Sequence, residues 1–260
     1  MSTALLFEKI GHVGKITLNR PNSYNSVNKE LAYAFLAAMK TCAEDDDIRA
    51  IVITGEGKAF CAGQDLKEVT DPNSGLELEQ IVSQHYNPMA LSVYNMPKPV
   101  IAAVNGVAAG AGANLALLCD IVVAKSSASF IQAFSKIGLI PDTGGTYTMQ
   151  RLVGYNKAMA LAMTGDKVSA TEAEKMGMIY KCVEDEAFDE FVDKLAQKMS
   201  KMPTKGLALT KKAFQEGLNN SFEEQLAREA HYQIIAGNTH DYNEGVTAFV
   251  EKRKPEFKGQ

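Results

Sequence analysis

Hydrophobic positions in the first part of the chain alternate between strand and helix periods. LLFEKIGHVGKITLN holds two alternating runs around Gly11 and Gly14, which predicts a β-hairpin, and KELAYAFLAAMKTCAED has apolar residues at helical spacing. RAIVITGEG and PVIAAVNG are short apolar runs ended by glycine, typical of buried strands. Strands and helices in this order predict an α/β fold with parallel strands and crossover helices.

The C-terminal part of the chain has a different pattern. From about Thr204 the apolar spacing is helical only, over TKGLALTKKAFQEGL, SFEEQLAREAHYQIIA and DYNEGVTAFVEKR. No repeat or low-complexity linker separates this tail from the rest. We therefore expect a core over residues 1–200 and a helical region over 201–260 that packs on the core or on another subunit.

Two glycine-rich stretches carry the candidate chemistry. GVAAGAGANLALLCD and GLIPDTGGT lie about one strand apart, and each can open a helix whose free N–H groups point into a shared cleft. AFCAGQDLKEV also follows a buried strand, and N–H donors that converge from two such loops form an oxyanion hole. For either loop alone, tight turns and close packing are the better explanation of the glycines. GAGANL lacks the third glycine of a dinucleotide-binding motif.

The polar candidates within these stretches reduce to Asn114 and Asp142. Asp142 is the one carboxylate well placed for chemistry, so a mechanism here must use a single acid/base group. From local sequence alone, a helix N-cap is the better explanation of an aspartate before TGGT.

Composition excludes several classes of protein. The net charge of −4 lacks the basic excess of a nucleic-acid surface, and the 4 cysteines are widely spaced, without a CxxC pair. The 4 histidines are scattered and suggest no metal site. Neither a signal peptide nor an apolar run of membrane-spanning length is evident. We expect a cytoplasmic protein with reduced thiols and no nucleic-acid or membrane partner.

Six ordered motifs run along essentially the whole chain. They are ITLNRP, KAFCAGQDLKEV, PVIAAVNGVAAGAGANLALLCDIVVA, IGLIPDTGGT, TGDKVSATEAEKMGMI and EGVTAFVEKRKPEF. This series resembles the crotonase (enoyl-CoA hydratase/isomerase) superfamily. The resemblance implies a spiral of ββα repeats, a C-terminal trimerisation region that forms a homotrimer or dimer of trimers, and an acyl-CoA thioester substrate. No separate cofactor is implied, since CoA is part of the substrate.

The resemblance also implies site residues. The two oxyanion amides fall on the backbone N–H groups of Gln64 and Ala111. The implied acyl pocket contains Asn114, Phe134 and Tyr86. The implied CoA-binding residues are Ala62, Asp65, Leu66 and Lys67, together with Phe249 and Lys252 from an adjoining subunit.

The chain departs from the hydratases it resembles at both of their acid/base positions. Those enzymes carry two glutamates, where this chain has Asn114 and Phe134, and it has Asp142 where they usually have glycine. This arrangement is similar to ring 1,2-epoxyphenylacetyl-CoA isomerases of phenylacetate degradation and to single-carboxylate Δ3,Δ2-enoyl-CoA isomerases of fatty acid metabolism. The resemblance implies that Asp142 moves the proton. Burial beside Phe134 and Ile140 should raise its pKa.

Alternative functions stay open at this point. An enoyl-CoA hydratase is one, and an aryl-CoA dehalogenase is another, although dehalogenases rely on a tryptophan and this chain has none. A non-catalytic acyl-CoA-binding or RNA-binding subunit is the third. The sequence does not choose between a ring epoxide and a linear Δ3-enoyl substrate, because both need the same base and the same oxyanion hole.

Overall fold

The computed structural model describes residues 3–72, 75 and 77–260. Its strands are β1 (Leu5–Ile10), β2 (Val13–Leu18), β3 (Ala50–Gly55), β4 (Ala59–Cys61), β5 (Val100–Val104), β6 (Val107–Ala109), β7 (Ile121–Lys125), β8 (Ser129–Ile131), β9 (Lys167–Ser169) and β10 (Lys181–Val183). Its α-helices are α1 (Lys29–Glu44), α2 (Leu66–Thr70), α3 (Leu78–Gln80), α4 (Asn87–Tyr94), α5 (Ala111–Leu117), α6 (Gly145–Val153), α7 (Tyr155–Thr164), α8 (Ala170–Lys175), α9 (Asp185–Ser200), α10 (Thr204–Gly217), α11 (Phe222–Gly237) and α12 (His240–Glu251).

The strands form two sheets, ordered β1-β2-β3-β5-β7-β10 and β4-β6-β8-β9. The pair β1–β2 is antiparallel, which confirms the predicted hairpin, and the rest of the first sheet is parallel. A strand of the first sheet, a strand of the second and then a helix follow one another repeatedly, as in β3-β4-α2, β5-β6-α5 and β7-β8-α6. The expected spiral of ββα repeats is confirmed.

The strands of the second sheet were not found from the pattern of the sequence. We assigned the segments of β4 and β6 to loops, and the structure shows that this is wrong. Each of these strands has only three residues, too few to show an alternating pattern. Their position depends on a close backbone approach, since a Cβ on Gly106 would lie 2.2 Å from the carbonyl oxygen of Lys58.

The helical segment that leads into α4 departs from regular α geometry. Residues Ile81–Tyr86 form a π-helix between α3 and α4. Short π segments within α-helices occur frequently at functional sites. This one places His85 and Tyr86 in the interior.

The parallel sheet is covered on both faces, as its continuous apolar strands require. One face packs in the main core, and the other contacts α9, where Phe188 and Val192 lie with Val52, Ile101 and Val123 in a separate cluster. The predicted tail helices are confirmed as α10, α11 and α12. Within the described ranges, none of the helices combines the length and apolar character needed to cross a membrane.

Candidate active site

The N-terminus of α5 supplies the first candidate oxyanion donor. Gly110 precedes the helix at φ +54°, and its N–H donates to the carbonyl oxygen of Ile131 at 2.8 Å. Ala111 is the first helical residue, so its N–H has no acceptor within α5. This amide is therefore free to bind a ligand oxygen.

The loop after β4 supplies the second candidate donor. The N–H of Val27 donates to the carbonyl oxygen of Gly63 at 2.7 Å, and the N–H of Asp65 donates to that of Val27 at 2.9 Å. This bridge turns the N–H of Gln64 away from Val27 and leaves it without an acceptor in the described chain. A Cβ on Gly63 would lie 3.5 Å from the nitrogen of Ala111, so the two loops are in contact.

Asp142 lies before α6 and does not cap it. The N-cap residue is Gly144, and no side chain bonds to the first turn. The helix-cap explanation of Asp142 is therefore wrong. The hydroxyl of Thr143 donates to Oδ1 of Asp142 at 2.8 Å, and no cation lies within ion-pair distance in the part of the chain described. Burial raises the pKa of Asp142, and the Thr143 hydrogen bond opposes that rise.

The backbone beside Asp142 is strained. Thr143 has φ +51°, and a β-branched residue in this left-handed region is an outlier that costs about 1–3 kcal/mol. Its side chain is buried, and the N–H of Gly145 donates to the carbonyl oxygen of Asp142 at 2.8 Å to close the turn. Such strain persists only where the surroundings enforce it, so this turn holds the carboxylate in a fixed place.

Asn114 ties the two glycine-rich stretches together. Its Nδ2 donates to the carbonyl oxygen of Asp142 at 2.8 Å, and its Oδ1 accepts from Nε2 of Gln132 at 2.9 Å. A Cβ on Gly145 would lie 2.2 Å from Nδ2 of Asn114, so the start of α6 packs directly on this amide. Asn114 is fully buried with both amide atoms engaged. Sequence reasoning placed it in the acyl pocket and missed Gln132, for which the sequence carries no signal.

Phe134 and Ile140, the two residues expected beside Asp142, differ in burial. Phe134 is buried, and its ring lies over the start of α5, where a Cβ on Gly110 would be 3.8 Å from Cζ. Ile140, however, is 79% exposed, so the expectation that it shields Asp142 is wrong. Tyr86 is 3% exposed, and burial raises its pKa well above the usual value; the Asp142 carboxylate adds to the rise.

The expected CoA-binding residues lie in two places. Asp65 forms an ion pair with Arg20 at 2.7 Å and accepts from the N–H of Lys67, so it caps α2. Ala62 is half-buried in the same loop, and its N–H donates to the carbonyl oxygen of Tyr24; Leu66 and Lys67 are exposed. Phe249, 85% exposed, and Lys252 lie on and just after α12, which packs against α11. Their exposure in one chain leaves them open to an adjoining subunit.

Thiol chemistry and metal binding receive no support at this site. Cys61 is a free, buried thiol, and burial raises its pKa to about 11, so it stays protonated and unreactive near neutral pH. In the described residues, no group of three or more His, Cys, Asp or Glu side chains could hold a metal ion.

Comparison with known proteins agrees with this geometry. Residues 8–260 match the family model described as enoyl-CoA hydratase/isomerase. The 1,2-epoxyphenylacetyl-CoA isomerase of Escherichia coli (strain K12) is 45% identical over 257 residues, which cover 96% of this chain and 98% of the relative. A probable enoyl-CoA hydratase of Rhodobacter capsulatus is 45% identical over 245 residues, with 94% of each covered. The crystal structure of an enoyl-CoA hydratase from Bacillus anthracis has a TM-score of 0.91 at 33% identity, covering 99% of this chain and 100% of that one. The chain belongs to the enoyl-CoA hydratase/isomerase family, as its motifs predicted.

Proposed function

We propose that this protein is an isomerase of acyl-CoA thioesters that uses Asp142 as its single acid/base group. The observation that carries the proposal is the carboxylate itself. It is half-buried, has no cationic partner in the described chain, does not cap α6 and is held by a strained turn. Perturbed carboxylates of this kind are candidates for proton transfer.

The mechanism needs only groups that the chain provides. The thioester oxygen accepts hydrogen bonds from the backbone N–H groups of Gln64 and Ala111, which stabilise the negative charge that develops on it. Asp142 removes a proton from the carbon next to the thioester and forms the enolate. The same group, now protonated, returns the proton to a different carbon of the conjugated system. The substrate and product are isomers, so no water or cofactor is consumed.

Hydration of an enoyl thioester fits this site poorly. Adding water requires groups that deprotonate the water and protonate the neighbouring carbon. At the two positions where hydratases carry these acids, the amide of Asn114 is fully engaged and Phe134 is apolar. Relatives named as hydratases are as similar in sequence as the isomerase, so the substitutions in the site and not overall identity support isomerisation.

The preferred substrate in this proposal is a ring 1,2-epoxyphenylacetyl-CoA, converted to the oxepin thioester in phenylacetate catabolism. The bond between the two epoxide carbons breaks and its electrons join the π system of the seven-membered ring, while Asp142 carries the proton from the carbon next to the thioester to a ring carbon. The E. coli relative carries that activity in its name, and Phe134 offers a flat apolar wall for a ring. A linear Δ3-enoyl-CoA needs the same base and the same oxyanion amides, and it is the second substrate class.

In this proposal, Phe249 and Lys252 of an adjoining subunit complete the CoA site when subunits assemble. We expect residues 201–260 to form the interface of a homotrimer or dimer of trimers, because apolar side chains of the tail such as Phe214 and Phe249 are exposed in the single chain. Light scattering at micromolar concentration tests this. A stable monomer contradicts it.

The direct test of function is an assay of three thioesters side by side. We expect the ring-epoxide and Δ3-enoyl thioesters to be isomerised and crotonyl-CoA hydration to be close to background. Robust hydration that survives substitution of Asp142 contradicts the proposal.

A further inference from the structure

Tyr86 presents a buried hydroxyl group that the proposed proton transfer does not use. The residue is 3% exposed, and its hydroxyl oxygen has no hydrogen-bond partner among the residues that the structure describes. Most buried side-chain polar atoms are hydrogen-bonded, because burying one without a partner is unfavourable. A hydroxyl left in this condition therefore calls for an explanation.

The position of this hydroxyl is set by the π-helix. Tyr86 is the last residue of Ile81–Tyr86, where the helix leaves regular α geometry before α4. The ionisable groups that act electrostatically on its hydroxyl include Cys61 and Asp65, at the two ends of the oxyanion loop, and Asp142. These charges reach the hydroxyl from the region of the oxyanion loop and of the proposed base.

The hydroxyl is a hydrogen-bond donor at every pH at which the enzyme would work. Burial raises the pKa of Tyr86 first, and the nearby acidic groups raise it further, so the phenol stays neutral. Gln64, on the oxyanion loop, carries a second buried atom without a partner, Oε1. These two polar atoms are available to bind a polar group of a ligand.

We propose that the hydroxyl of Tyr86 donates a hydrogen bond to an oxygen atom carried by the acyl group, distinct from the thioester oxygen, and so selects oxygenated ring substrates over hydrocarbon ones. This inference rests on the proposed function and narrows its substrate class to ring oxides. Tyr86 is a specificity-determining residue here and transfers no proton. A site with a buried donor discriminates against ligands that lack the acceptor, since the donor then stays unpaired.

Binding of two matched ligands tests the proposal without any need for turnover. 2-Hydroxyphenylacetyl-CoA carries an oxygen on the ring carbon that bears the epoxide oxygen in the substrate, and 2-methylphenylacetyl-CoA replaces it with a methyl group of similar size. We expect calorimetry to show that the wild-type protein prefers the hydroxy ligand by about five- to tenfold. Tyr86→Phe should lose that preference.

A control variant and a stability measurement make the test specific. Tyr94→Phe removes a hydroxyl from the same helical segment, where it faces Tyr147, and should keep the preference. The melting temperature of Tyr86→Phe should equal or exceed that of the wild type, because an unpaired buried hydroxyl is removed. A fall in melting temperature with unchanged ligand preference shows that the hydroxyl serves the fold, and it overturns the inference.

The outcomes separate this inference from the proposed function. If the protein isomerises the Δ3-enoyl thioester but binds the hydroxy and methyl ligands equally, the result supports the isomerase and overturns the role of Tyr86. A Tyr86-dependent preference in a protein that isomerises neither thioester supports the role of Tyr86 in binding and overturns the isomerase.

Discussion

Replacing Ala111 by proline is expected to remove one oxyanion donor while leaving α5 intact. Ala111 is the first residue of α5, a position where the N–H has no helical acceptor and where proline is favoured. The residue before a proline is usually restricted by a clash with its own Cβ, but that residue is Gly110, which has none. The substitution therefore replaces a single N–H group of the site with a ring methylene that cannot donate.

Ala111→Pro should lower both kcat and the free energy of unfolding, and the two losses are measured separately. Removing one oxyanion donor lowers kcat by about 10²–10³, or about 2.7–4 kcal/mol of transition-state stabilisation. Ala111 is 4% exposed, so the added ring atoms must be accommodated in a packed region. Overpacking of this kind lowers the free energy of unfolding by about 1–3 kcal/mol.

The matched control is Ala111→Val, which adds similar volume and keeps the N–H group. We expect kcat for the thioester that the wild type turns over to fall about 10²–10³ in the proline variant and at most tenfold in the valine variant. Calorimetric melting should show similar destabilisation in both. Equal losses of kcat in the two variants, or full activity of the proline variant, would refute the assignment of this amide.

Three further predictions concern the carboxylate and its surroundings. Thr143→Val removes the donor that favours the charged form of Asp142, so the pKa of Asp142 should rise and the acid limb of the kcat/KM profile should move to higher pH. An acid limb that does not move contradicts an effect of the Thr143–Asp142 hydrogen bond on catalysis. Asp142→Asn should raise the melting temperature near pH 7, because folding raises the pKa of this carboxyl group. The stability that such a group contributes is present below its unfolded pKa and lost above its folded pKa. The loss is about 1.4 kcal/mol for each unit by which the pKa is raised. This gain should shrink as the pH falls towards the unfolded pKa, and a gain independent of pH points to a different cause. Phe134→Ala should reduce kcat/KM for ring thioesters more than for linear ones, and it should lower the free energy of unfolding by about 3–5 kcal/mol. Because the change admits water to Asp142, the acid limb of the kcat/KM profile should move to lower pH. Equal losses of kcat/KM on both substrates, with an acid limb that does not move, make Phe134 an ordinary core residue.

The elements predicted correctly are those whose signal is local. The hairpin, α1 and the three tail helices each show one clear period over many residues. The three-residue strands β4 and β6 are fixed by contacts with distant strands, which no short window of sequence contains. The π-helix before α4 was missed for a related reason, since its apolar spacing also fits an α-helix.

The candidate site was predictable in its residue types and less so in its connections. Asp142 stood out because the glycine-rich stretches offer one well-placed carboxylate, and resemblance supplied its role. The hydrogen bonds from Gln132 to Asn114 and from Asn114 to Asp142 join residues 18 and 28 positions apart, so no local pattern reveals them. The left-handed backbone of Thr143 was equally hidden, because a β-branched residue gives no sign of a positive φ.

The central claim is that one carboxylate, Asp142, performs the whole proton transfer. The most direct measurement is the turnover number of Asp142→Asn with the thioester that the wild type isomerises, together with the dissociation constant of an unreactive acyl-CoA. The amide keeps the shape of the side chain but cannot accept the proton, so we expect kcat to fall by about 10²–10⁴ with the dissociation constant nearly unchanged. Isomerisation at the wild-type rate in this variant would contradict the account.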